Sequence, residues 1–153
     1  MAEFEPNEVR VPLDIDLFQP QMDQGTVKGA TCYQRFKTQG LICAPEYQSI
    51  AQLDLGKGQL LAELKLPNSV KDRHSDYVLH PSIISGALQS ALYLLPESSL
   101  VGVAGNSGLF LQLSHPHALA TLKVIRPCRA NMFAWVRYSN ACEPNGDLSM
   151  EKM

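Results

Sequence analysis

Ser85 and Gln89 are the two side chains best placed to do chemistry together. They lie four residues apart in a segment whose apolar positions recur at helical intervals, so they fall on one face, a turn from each other. A serine hydroxyl and a glutamine amide each donate and accept hydrogen bonds, and neither ionises near neutrality. Such a pair can hold and polarise a ligand. On the first turns of its helix Ser85 faces a pocket at the helix start, or else it is a small packing residue whose hydroxyl bonds back to the helix. Gln89 lies one turn further along that face, where a buried amide would be satisfied by backbone groups. His80, directly before Pro81, anchors the helix start. His115 and His117 are two apart on a strand-like piece and point the same way, but no third ligand is in reach, so a metal is not expected. His117 is the candidate for proton transfer, and His74 is expected in solvent.

Other chemistries lack their parts. No serine sits in a GxSxG elbow, and GKG at 56–58 is a hairpin turn without the rest of a phosphate loop. Cys32, Cys43, Cys128 and Cys142 are widely spaced with no CxxC pair, which reads as free, partly buried thiols rather than a disulfide framework or a zinc site. Thirteen basic against fifteen acidic residues give a formal charge of -2, too little field to gather nucleic acid or anionic lipid. No stretch approaches the roughly 20 apolar residues of a membrane span and the start shows no targeting signal, so the location expected is cytoplasmic.

The elements that must position these residues follow from periodicity. At 153 residues and 45% apolar content the chain suits one domain. Residues 1–27, with Pro6, Pro12, Pro20 and Gly25, read as a linker or extended arm, within which the alternation from Val9 to Leu17 could pair at a sheet edge. The lobe is expected over 28–153. A helix is expected at 31–39, with Cys32, Phe36 and Tyr33 inward and Gly40 as its C-cap. A short helical piece starts at Pro45 and takes in Tyr47 and Ile50. Ile50, Leu53 and Leu55 lead into GKG, after which Leu60, Ala62, Leu64 and Leu66 alternate with Leu61, Glu63 and Lys65 until Pro67: a hairpin. Over 81–95, Ile84, Ala87, Leu88, Ala91, Leu92 and Leu95 recur at three and four residue intervals until Pro96, and small residues around that helix let a sheet approach. ALATLKVIRP and ANMFAWVRYS are strand candidates, preceded by a glycine-loosened stretch with an FLQL run and followed by an EPNGD turn. Strands around one buried helix give an α+β hot-dog lobe, an antiparallel sheet wrapped around a central helix.

Three segments, in order, resemble dehydratase domains of modular polyketide synthases, especially those of assembly lines with a separate acyltransferase. CAPEYQSI at 43–50 is similar to the family's Tyr-Gly-Pro-aromatic-Gln segment. His80 to Gln89 resembles its helix start, His-Pro, three residues, Asp, two small residues, Leu, Gln. VIRPCRANMFAWVRYS at 124–139 resembles its late strand pair. The likeness covers roughly residues 31–139 and is to the second, C-terminal lobe of a double hot-dog. The resemblance implies a substrate on the phosphopantetheine arm of an acyl carrier protein, with no cofactor bound directly, neighbouring synthase domains as partners, and a pocket that includes Cys43, Pro45, Tyr47, His80 and Pro81. It also implies water elimination by a histidine from the first lobe and an aspartate from the second, two groups because one takes an α proton and the other protonates a departing hydroxide.

The chain departs from that pattern. Ser85 stands at the aspartate position, Cys43 and Ala44 replace tyrosine and glycine, and a histidine-bearing first lobe is not expected among these 153 residues. Ser85, Gln89 and His117 remain as the catalytic candidates. The expected function is a dehydratase-like lobe of a modular synthase, acting on or near carrier-bound intermediates and lacking dehydratase activity by itself. The alternatives are a double-bond isomerase, a branching or cyclisation domain of the same fold, or a noncatalytic structural or docking module. An isolated lobe should pair through its sheet, which predicts a homodimer.

Overall fold

The computed structural model describes residues 2–4, 14–95, 122–124, 126–138 and 148–152. In chain order the elements are β1 (Ala2–Phe4), α1 (Ile15–Phe18), β2 (Thr26–Lys28), α2 (Gly29–Thr38), β3 (Ile50–Gly56), β4 (Gln59–Lys65), α3 (Pro81–Ala91), β5 (Leu122–Val124), β6 (Asn131–Tyr138) and β7 (Leu148–Lys152). Short 3-10 turns at Gln19–Gln21, Pro45–Tyr47, Asn68–Asp76 and Leu92–Leu94 lie between them. The expectations for Val9 to Leu13, for the glycine-loosened stretch and FLQL, for His115 and His117, for Cys142 and for the EPNGD turn fall outside the described residues.

The hairpin forms where the alternation placed it. β3 and β4 pair antiparallel with Leu53 opposite Ala62, and the turn between them carries Gly58 at φ +66°, a conformation that favours glycine. β4 then pairs with β6, Ala62 opposite Ala134, and the five-stranded order is β2-β3-β4-β6-β7, antiparallel throughout. β1 and β5 make a separate parallel pair. The alternation in β6 has a clear outcome: Ala134 and Val136 are buried in the core with Leu53, Leu60, Leu64, Phe36, Ile83 and Leu92. Trp135, one step out of phase, stacks on Phe18 of α1 at 4.4 Å on the opposite side of the sheet.

α2 spans nearly the expected residues and places Cys32 and Phe36 in the core, with Gly40 at φ +87° closing its end. Complete burial of Cys32 pushes its thiol up to about 12. α3 begins at Pro81 and continues as a 3-10 turn to Leu94, as the periodicity implied. Its deepest face is another matter. Ser82, Ile83, Gly86, Ser90 and Ala91 are buried, whereas Ile84, Ala87 and Leu88 of the apolar series are half-buried. The small residues govern the closest approach: a Cβ on Gly86 would lie 2.0 Å from Ser49 Oγ.

Three local expectations change. The piece beginning at Pro45 stops at Tyr47, because Ile50 is drawn into the sheet opposite Leu64. Ile15 to Phe18, within the alternating stretch, make a helical turn capped by the Asp14 carboxylate, which accepts the Asp16 N–H at 3.0 Å. Thr26–Lys28, where the extended arm was expected to end, is the first strand of the sheet and pairs with Gln52–Asp54. Among the described residues no helix is long and apolar enough to cross a membrane.

Candidate functional site

The start of α3 is built by three neighbouring segments. His80 is the N-cap, and its Nδ1 accepts the Ser82 N–H at 3.2 Å, so this nitrogen is unprotonated. The His80 backbone N–H donates to Cys128 Sγ at 3.0 Å, and the Tyr77 ring meets the imidazole edge-on at 5.0 Å. Cys128 is buried, its N–H donates to the Val78 carbonyl at 2.7 Å, and its own carbonyl accepts from His74 Nε2 at 2.9 Å. His74 is therefore half-buried and engaged rather than free in solvent. Burial holds the His80 imidazole below its usual range, and the neighbouring His74 adds to this while Asp76 opposes it.

The turn at Pro45–Tyr47 is tied to the same helix. Ser82 Oγ donates to the Glu46 carbonyl at 2.6 Å, and Ser49 Oγ donates to the Ser82 carbonyl at 2.7 Å. Cys43 is half-buried, with burial raising its thiol, and its carbonyl accepts from Gln48 Nε2 at 2.8 Å. Pro45, Tyr47 and Pro81 are exposed. The pocket candidates Cys43, Pro45, Tyr47, His80 and Pro81 thus belong to two segments that Ser82 fastens together. Of these residues His80 is the one buried outright.

One turn along, Ser85 and Gln89 are bonded to each other: Gln89 Nε2 donates to Ser85 Oγ at 2.9 Å. Gln89 Oε1 accepts from the Tyr33 hydroxyl of α2 at 3.1 Å, and the Tyr33 oxygen accepts the Ile50 N–H at 3.0 Å. The β3 ladder is irregular between Ile50 and Gln52, and the phenol serves the Ile50 amide there. A polar chain therefore runs from the sheet through α2 to Ser85. Tyr33 was legible as an inward residue, but its partner lies 56 residues away and no local signal joins the two. Burial pushes the Tyr33 phenol above its ordinary 10.0 despite the Ile50 N–H, so no member of the chain ionises near neutrality. The arrangement can present a hydrogen bond; it cannot supply a carboxylic acid or its conjugate base. Among the described residues no group of three or more His, Cys, Asp or Glu could hold a metal ion.

An antiparallel sheet packed against a central helix whose first turns carry the polar groups defines a hot-dog lobe. Residues 19–147 match the family described as "Polyketide synthase dehydratase N-terminal domain". The chain belongs to the polyketide synthase dehydratase family. It is 37% identical over 139 residues to polyketide synthase PksN of Bacillus subtilis (strain 168), a match that covers 89% of this chain and 2% of that protein. With PksM of the same organism the identity is 31% over 128 residues, 84% of this chain and 3% of the other. A trans-AT polyketide synthase dehydratase domain from Brevibacillus brevis superposes with a TM-score of 0.68 at 31% identity over 92% of this chain and 46% of that one. The dehydratase domain of the CurK module of curacin polyketide synthase, 23% identical with a TM-score of 0.61 over 86% of this chain and 44% of its own, shares the fold. The chain thus spans just under half of these two solved dehydratase domains and a few per cent of the two synthases.

Proposed function

We propose that this chain is the second, C-terminal lobe of a double hot-dog dehydratase-like domain in a cytoplasmic modular polyketide synthase. Its ligand is an acyl chain on the phosphopantetheine arm of an acyl carrier protein, its neighbours are other synthase domains, and alone it does not eliminate water. The family description names an N-terminal domain; the order His80, Pro81, Ser85, Leu88, Gln89 at the start of α3 favours the second lobe. Ser85, Gln89 and His117 remain the reacting candidates, with Cys43, Pro45, Tyr47, His80 and Pro81 around the acyl arm. The observation that carries the proposal is the Tyr33, Gln89, Ser85 chain, which lies along α3 and includes no group able to protonate a departing hydroxide.

Incubation of the chain with 3-hydroxybutyryl carrier protein, followed by mass and by enoyl absorbance, tests this. The hydroxyacyl mass is expected to stay unchanged; water loss catalysed by this chain alone overturns the proposal. A crotonyl carrier protein in a parallel tube separates isomerisation from inactivity. In the absence of a neighbouring lobe we further propose self-association through a sheet edge, and sedimentation of the same samples decides it, a monomer at all concentrations counting against a homodimer.

A further inference from the structure

We infer that Tyr33 is a positioning residue that fixes the direction of the hydrogen-bond chain, so that Ser85 offers its proton to a carbonyl oxygen of the bound acyl chain. The inference rests on the reading above that an acyl chain lies beside Ser85. A backbone N–H can only donate, so the Tyr33 oxygen must accept from Ile50. The phenol then spends its own proton on Gln89 Oε1, which turns the Gln89 amide so that its NH2 points at Ser85 Oγ. Each bond in the series is oriented by the one before it, and the first cannot be reversed. Ser85 Oγ thereby accepts a hydrogen bond from Gln89 and has its own O–H left to donate. Ser82, Ser49 and Ser90 give theirs to backbone carbonyls, whereas among the described residues the Ser85 hydroxyl has no acceptor. Ser85 is also half-buried, so part of the residue remains open to a ligand. The group that fits is a hydrogen-bond acceptor, and a carbonyl oxygen of the acyl chain supplies one.

Titration calorimetry of the 153-residue chain with acetoacetyl-pantetheine and butyryl-pantetheine, which differ by one carbonyl oxygen, tests the inference. The unaltered chain is expected to favour the acetoacetyl compound about fivefold, the worth of one hydrogen bond. Gln89→Glu keeps the size of the side chain but makes it an acceptor for both Tyr33 and Ser85, so the preference between the two compounds should vanish. Tyr33→Phe should also erase the preference and shift the side-chain amide resonance of Gln89, identified by its absence from Gln89→Glu. Equal binding of the two compounds by the unaltered chain, or a preference that survives Gln89→Glu, sinks the inference and leaves the acyl-binding reading standing. A preference that survives Tyr33→Phe removes Tyr33 from its role. Binding of neither compound defeats the acyl-binding reading itself, and this inference with it. Should Tyr33→Phe fail to fold, Gln89→Glu decides alone.

Discussion

At His80 a neutral imidazole is a structural requirement, since a ring protonated at Nδ1 has no lone pair for the Ser82 N–H. Burial and the adjacent His74 resist protonation in the folded chain and outweigh Asp76, while the unfolded chain titrates near 6.5. The unfolded state therefore binds more protons just below that pH, and stability must fall as pH drops through 6.5 toward the lowered folded value. Above 6.5 both states are neutral at this residue and its contribution is level. Denaturant titrations at pH 7.5 and 5.5 should show a loss at the lower pH that His80→Asn reduces, at a slope of up to about 1.4 kcal/mol per pH unit. Asparagine still caps the helix but does not titrate, so an unchanged pH dependence in that variant assigns the effect elsewhere. The anchoring role of His80 was legible from its place directly before Pro81, the first residue of the helix. The roles of His74 and Cys128 were not, since each depends on a loop brought in from some fifty residues away.

Helix α3 was legible in its extent and in the small residues that admit a sheet, less so in which position lies deepest. Apolar periodicity located the helix through Ile84, Leu88 and Ala91, yet the position with the least room is Gly86, beside Ser49 and Leu64. Hydrophobic spacing reports which positions avoid water; the distance between two backbones depends on which positions have no bulk. Gly86→Ala would set a methyl 2.0 Å from Ser49 Oγ and 3.1 Å from Leu64 Cδ2. It should therefore destabilise the lobe by about 1–3 kcal/mol in chemical denaturation. Ser49→Ala alone costs the hydrogen bond to the Ser82 carbonyl, and in the Gly86→Ala background it should restore part of the loss. Additive losses in the double variant would mean that the two backbones are not held apart by this pair.

Across the molecule, the hairpin and β6 were readable because strands of seven or eight residues, two of them joined by GKG, hold enough apolar positions to show a pattern. The short β2 and α1 were not, because three or four residues carry no period and their places come from distant partners, Gln52–Asp54 and Trp135. The same long-range packing isolates Cys32, which lies among Phe36, Leu53 and Ile83. With its thiol raised to about 12 and no exposed surface, it should not react with iodoacetamide at neutral pH while half-buried Cys43 is slowly modified. Mass mapping of alkylated peptides across a urea series should show Cys32 labelled in step with the cooperative transition, and labelling well before it would contradict the packing described. A single sulfur at the centre of the lobe thus serves as a chemical timekeeper, stamping each molecule with a permanent record of whether it has ever come apart.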